Sequence, residues 1–237
     1  MGTSLTIISR KGGVGRTFIS VNLAFAIATL GKKVLLIDGN IEQPNVGLAM
    51  NIDSSEATIH HYLAGKKELD EVISKYEGID VIYGNIEFQS LSESDIDTEK
   101  FNDIIKKLVD EYDVIVIDSP SGCDTILAPF QSQENALVVV TPNILSVVDG
   151  MRAKNISKKL GSKILGVVVN NTAQKKYLTN ENIEFALNSK VLEEIPYEEK
   201  VETSLAMGEP LILKYPTTTA AKKIIDLAHI LIGVADK

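Results

Sequence analysis

The residues best suited to chemistry sit near the start of the chain, at Lys11-Gly12-Gly13-Val14-Gly15-Arg16-Thr17. Glycines at this spacing let successive backbone N–H groups converge on phosphate oxygens, and a helix opening behind them adds a potential that favours anions. A threonine at the helix start can place its hydroxyl on Mg2+. The loop directly follows an apolar run, Leu5 to Ser9, so it has the strand–loop–helix setting that a phosphate cradle requires. The strict pattern G-x-x-x-x-G-K-[ST] is broken twice, by Arg10 in place of the first glycine and by Arg16 in place of the lysine. Gly12 and Gly13 supply the bend that the first glycine would give. The second change is chemical: a lysine ammonium is a compact point charge, whereas a guanidinium is planar, larger and always charged. A glycine-rich turn that binds nothing is the competing reading, and carboxylates at the ends of later strands weigh against it.

Two such carboxylates stand out. Val34-Leu35-Leu36-Ile37 runs into Asp38, with Asn40 two residues on, and Val114-Ile115-Val116-Ile117 runs into Asp118. An acid at the C-terminal end of a buried strand lies where open α/β sheets bind ligands. Mg2+ takes few protein ligands and keeps several waters, so Thr17 and Asp118 suffice as a pair. Taken alone, Asp118 also reads as a turn residue or a helix cap. Gly166-Val167-Val168-Val169 ends at Asn170, an amide able both to donate and to accept, or simply to close a turn.

These residues together resemble the MinD/ParA family of dimeric P-loop ATPases, over nearly the whole chain. The loop is similar to that family's variant motif KGGxGK[ST], Asp38-Gly39-Asn40 to its switch I segment, and Asp118-Ser119-Pro120-Ser121-Gly122 to its switch II. Pro44-Asn45-Val46-Gly47-Leu48, Ile195-Pro196, Gly208-Glu209-Pro210, Pro216 and Ala220-Ala221 extend the likeness. The resemblance implies ATP or ADP with Mg2+ as cofactors, held by Gly12, Gly13, Val14, Gly15, Arg16, Thr17 and Phe18, with Thr17 and Asp118 on the metal. It implies Asn170 on the adenine edge and Pro196 in the wall beside it. Asn171 stands where relatives often carry arginine. Lys11 would reach across an ATP-dependent homodimer to the partner's phosphates, the kind of contact worth about 10³–10⁵ in rate elsewhere. Catalysis would then rest on Lys11, Asp38 and Asn40. Asn40 replaces a second aspartate; it can hold a water but cannot accept its proton. With Arg16, this predicts weak nucleotide binding, slow hydrolysis or both. The implied role is a nucleotide-controlled switch in spatial organisation, such as division-site or cargo positioning. A scaffold that binds nucleotide poorly or does not hydrolyse it is the alternative.

The elements that must position these groups follow from periodicity. Leu5–Ser9, Val34–Ile37, Asp80–Tyr83, Val114–Ile117, Ala136–Val140, Ile164–Val169 and Lys190–Ile195 read as strands, several apolar on consecutive positions and so buried on both faces. Helical stripes lie between them, at Phe18, Val21, Phe25 and Ala28, at Phe101 to Val109, at Ile183 and Leu187, and at Ile224 to Ile232. Strand alternating with helix predicts a mostly parallel sheet with right-handed crossovers, and the resemblance implies a three-layer α/β P-loop NTPase fold of roughly seven or eight strands with helices on both faces. The expected organisation is a single domain over residues 1–237. Glu87 to Asp97 reads as a polar surface loop.

Composition narrows the alternatives. At 237 residues, with 44% hydrophobic and 24% charged, the chain can build a core without staples, and the lone Cys123 excludes an intrachain disulfide or a paired-cysteine metal site. Metal-centre maturation, which uses such pairs in related ATPases, loses support. A net charge of −8 discourages broad nucleic-acid binding. The cluster Arg152, Lys154, Lys158, Lys159 and Lys163 reads as a solvated face in preference to a surface for nonspecific DNA binding. The terminal segment is apolar on too many sides for a basic amphipathic anchor and is expected to pack on the sheet. No signal peptide is read, so a cytoplasmic location and a protein partner of unknown identity are expected. His60-His61 cannot face one ion from adjacent helical positions, His229 reads as a packed or partly exposed residue of the apolar terminal helix, and Glu198-Glu199 reads as a solvated helix start.

Overall fold

The computed structural model describes residues 2–52, 57–84, 99–120, 134–171 and 176–235. Ser121, Gly122, Cys123 and the stretch from Glu87 to Asp97 lie outside the described residues. Eight strands form one sheet: β1 (Thr3–Ile8), β2 (Val34–Asp38), β3 (Ser74–Tyr76), β4 (Ile79–Ile82), β5 (Val114–Asp118), β6 (Asn135–Val140), β7 (Lys163–Asn170) and β8 (Val191–Ile195). Their spatial order is β3-β4-β2-β5-β1-β6-β7-β8. The neighbouring strands run parallel except β3 and β4, which form an antiparallel hairpin at one edge. Its two-residue turn, Glu77-Gly78, holds φ at 45° and 93°, the left-handed pair that matches strand twist.

Helices cover both faces. On one, α1 (Arg16–Thr29) lies against Leu5, Ile7, Leu36 and Val116, and the terminal helix α9 (Thr219–Ala235) packs over it through Ile224, Leu227, Ala228 and Leu231. The sequence stripe predicted a one-sided α1. With α9 on its outer side, α1 is instead buried almost all round, from Phe18 through Ile27. On the other face, Leu35, Ile37, Ile115 and Ile117 meet Phe101, Ile104 and Leu108 of α4 (Glu99–Leu108). Val138 and Val140 there meet α5 (Ile144–Lys159) and α6 (Asn180–Leu187) through Val147, Ala153, Ile183 and Leu187. Alternate residues of one strand thus serve opposite layers, the reason for the unbroken apolar runs. Between these elements lie α2 (Val46–Ala49), α3 (Ile59–Leu63), α7 (Glu199–Met207) and α8 (Leu211–Lys214). Among the described residues no helix is long and apolar enough to cross a membrane.

Candidate functional site

Strands β2, β5 and β1 are adjacent, with Asp38 in register with Asp118 and Asp118 with Ile7. The three loops that leave them therefore start at one height on one end of the sheet. That register brings Thr17 and Asp118, 101 positions apart, to 2.6 Å, the Thr17 hydroxyl donating to Asp118 Oδ2. Ser20, on the same helical face, donates to Oδ1 at 3.0 Å. A hydroxyl and a carboxylate in contact are hard oxygen donors of the kind Mg2+ takes, so this pair fits that ion.

The glycine loop closes over this pair. Gly15 sits at φ 87° and ψ 27° immediately before α1, a left-handed conformation that a side chain would strain. A Cβ there would also overlap Asn170 Nδ2, which donates to the Val14 carbonyl at 2.9 Å. Gly15→Ala is accordingly expected to destabilise the protein by about 1–3 kcal/mol and to dislodge Asn170. Chemical denaturation and a 15N spectrum of the Asn170 amide check both effects.

Arg16 does not point its charge into open space. Its Nη1 donates to the Ser9 carbonyl at 2.8 Å and to the Pro120 carbonyl at 2.7 Å, and the residue is 9% exposed. Burial pulls its pKa down, against the attraction of Asp118 and Asp38 beside it. Burial in turn pushes Asp118 up, opposed by Arg16 and by the Thr17 and Ser20 hydroxyls. Asp38 is pushed up to about 8 by burial and by Asp118, while three backbone N–H groups favour its charged form. Those donors are Asn40 at 3.1 Å and Asn45 and Val46 at 3.0 Å, so Asp38 holds the segment from Asn40 into α2.

Beside the loop opens a cleft of about 560 Å3, within the usual range for small-molecule sites. Gly12, Gly13, Gly15, Arg16, Thr17, Phe18, Asn40, Asn170, Asn171 and Pro196 line it. Val14 is buried behind the loop and Asp38 is buried completely, and neither lines the cleft. Lys11 is half-buried and also lies outside the lining. Asn40 faces the cleft and donates to the Gln43 carbonyl at 2.6 Å. Asn171 donates to Glu194 at 2.9 Å.

The far wall comes from α7 and the residues before it, a contribution that the sequence reading missed. Tyr197, Val201 and Leu205 line it together with Glu198 and Glu202, and each set recurs at a spacing of four, a helical stripe that was available as a signal. Glu199 is exposed, as its reading implied, but Glu198 departs from the solvated start assigned to it. It is half-buried and its Oε2 accepts the Ala220 N–H at 2.9 Å, filling an orphan donor at the start of α9. His60 is buried against the Ile41 carbonyl at 2.7 Å, whereas His61 contacts Thr58 at 3.0 Å, so the two imidazoles serve different partners. Of the two readings for His229, the structure shows the exposed one. In the basic cluster, Arg152 pairs with Asp149 at 3.2 Å and Lys154 donates to the Leu187 carbonyl, so its charges do not form one free face. Among the described residues no group of three or more acidic, histidine or cysteine side chains could hold a metal.

Comparison with known proteins agrees with this geometry. A family described as an AAA domain matches residues 2–158. An uncharacterized ATP-binding protein of Methanocaldococcus jannaschii is 33% identical over 234 residues, which span 97% of this chain and 88% of that one. The crystal structure of the cell division ATPase MinD from Pyrococcus furiosus superposes with a TM-score of 0.91 at 30% identity, covering 99% of this chain and all of that one. The septum site-determining protein MinD from Pyrococcus horikoshii, solved with Mg-ADP, has a TM-score of 0.91 at 29% identity, covering 99% of this chain and 98% of that one.

Proposed function

Since the chain belongs to the MinD/ParA family of P-loop ATPases, we propose that it binds ATP with Mg2+ in the cleft and acts, as one domain over residues 1–237, as a slow nucleotide-controlled dimerisation switch. The observation that carries this reading is the Thr17–Asp118 contact of 2.6 Å beside the glycine loop. Those two residues would hold Mg2+, which would neutralise phosphate charge. Gly12, Gly13, Val14, Gly15, Arg16, Thr17 and Phe18 would surround the phosphates, chiefly through backbone N–H groups. Asn170 would meet the adenine edge, with Pro196 in the wall beside it. Asn40 would position the attacking water without accepting its proton. Asp38 is a positioning residue here, because its carboxylate holds the segment that carries Asn40. Lys11, outside its own cleft, would serve the nucleotide of a second copy. Such a switch fits a cytoplasmic role in spatial organisation, at a division site or on a cargo, through a protein partner.

Calorimetry with ATP and ADP in the presence of Mg2+ tests this. One nucleotide per chain is expected, with affinity falling at least about tenfold when Mg2+ is chelated. No binding to folded protein would remove the enzyme reading. One observation favours a non-hydrolysing scaffold as the second reading: Arg16 Nη1 is already engaged by two backbone carbonyls. Binding without phosphate release would select it.

A further inference from the structure

The cleft is short of positive charge. Its charged lining residues are Arg16, Glu198 and Glu202, and Arg16 sits against the carboxylates of Asp38 and Asp118 with Nη1 on two carbonyls. A bound triphosphate therefore finds no surplus cation in the lining of its own chain, and Mg2+ offsets only part of its charge.

Arg10 is a side chain suited to make up the difference. It is exposed, and no hydrogen bond or ion pair of its guanidinium is found among the described residues. Its root is nonetheless fixed. The Ser9 carbonyl that Arg16 grips belongs to the Ser9–Arg10 peptide, and the Ser9 hydroxyl donates to the Lys11 carbonyl at 3.4 Å. A pinned backbone with a free tip lowers the ordering cost of a new contact. Arg10, like Lys11, is absent from the lining of its own cleft, so its charge faces outward at the loop end of the sheet. The same end carries an uncovered apolar pair. Ile144 and Leu145 are 67% and 70% exposed at the start of α5, which follows β6, the parallel neighbour of β1. A cation without a partner among the described residues, on the same end of the sheet as uncovered apolar side chains, matches a partner that brings phosphate at that end, which a second copy carrying nucleotide would do.

We propose that Arg10 contacts phosphate in trans: its guanidinium meets the terminal phosphates of a nucleoside triphosphate held by a second copy, replacing the charge that Arg16 has withdrawn into the interior. This deepens the switch reading above and rests on its dimer. A planar fork suits phosphate oxygens, and each such contact appears twice in a two-fold dimer.

The test uses adenosine 5′-(γ-thio)triphosphate with Mg2+, so that hydrolysis is not needed. Sedimentation velocity measures dimerisation, and a fluorescent analogue measures nucleotide affinity at concentrations where the protein is monomeric. Arg10→Ala is expected to weaken the dimer at least tenfold while leaving monomer affinity unchanged, and Arg10→Lys to fall between the two. The wild-type dimer should also weaken more steeply with salt than the alanine variant. If wild type dimerises and Arg10→Ala dimerises equally well, the trans contact is wrong and the switch reading survives. A loss of monomer affinity in Arg10→Ala would place the contact in its own cleft and overturn the proposal in the same way. A wild type that stays monomeric with saturating nucleotide would overturn the dimer and the Arg10 contact together.

Discussion

Arg16→Met should lower the unfolding free energy by about 3–5 kcal/mol at pH 8, and by clearly less at pH 5. The guanidinium lies beside Asp38 and Asp118 and bonds the carbonyls of Ser9 and Pro120. Methionine fills much of the volume but leaves two buried acids without a cation and two carbonyls without a donor. The pH dependence follows from Asp38, whose pKa rises from 3.8 to about 8 on folding. A folded state that holds the proton more tightly gains stability from it, fully present below the unfolded value and lost as pH climbs through the folded one. The wild type should thus lose stability between about pH 4 and 8. Removing Arg16 favours the neutral acids further and steepens that loss. Urea unfolding of both proteins at pH 5 and pH 8 decides the matter. A deficit below 1 kcal/mol, or one equal at both pH values, would show that the guanidinium is not the counter-charge of this cluster.

Restoring the two departures from the family motif together, Arg16→Lys with Asn40→Asp, should raise ATP turnover by about a hundredfold or more. A general base contributes roughly 10²–10⁴ to such reactions, and Asn40 already faces the cleft where the water must sit. Lysine carries a single compact charge and cannot hold both carbonyls with a planar fork, so its ammonium is free to turn toward phosphate. Asn40→Asp loses the donor that now meets the Gln43 carbonyl at 2.6 Å, so the segment from Asn40 to Gln43 must shift. That shift is the reason to compare the double variant with each single one. Phosphate release under saturating ATP and Mg2+ is the measurement. A double variant no faster than wild type would mean that neither position limits the rate.

Periodicity in the chain made most of the fold legible. The seven strands read from apolar runs are all present, because strands buried on both faces have a sequence signature of their own. The eighth, β3, is three residues long, and two of them, Ser74 and Lys75, are polar; it exists by pairing with β4. Its one local clue was the Glu77-Gly78 turn. For the site, composition at the loop was readable but placement was not. Thr17 and Asp118 could be paired on chemistry, yet their contact comes from strand order, which no local pattern encodes. Glu198 shows the opposite failure: an acid before a helix looks solvated until the distant Ala220 N–H arrives above it. Arg16 was recognised as a departure, but its inward course depends on the Ser9 and Pro120 carbonyls, one of them far along the chain. Asp38 was expected to act on the reaction, and its full burial under three N–H donors is a tertiary fact.

The edge hairpin has a consequence for how copies can assemble. An outermost strand of three residues, bearing exposed Lys75, offers little template for another chain to extend the sheet. The opposite edge, β8, carries Glu193 and Glu194, engaged with Lys223 and Lys176. With both flanks blunted, growth by strand addition into open fibres is disfavoured. In the proposed dimer, a face that pairs with its own copy would close on itself and give a finite, two-fold assembly.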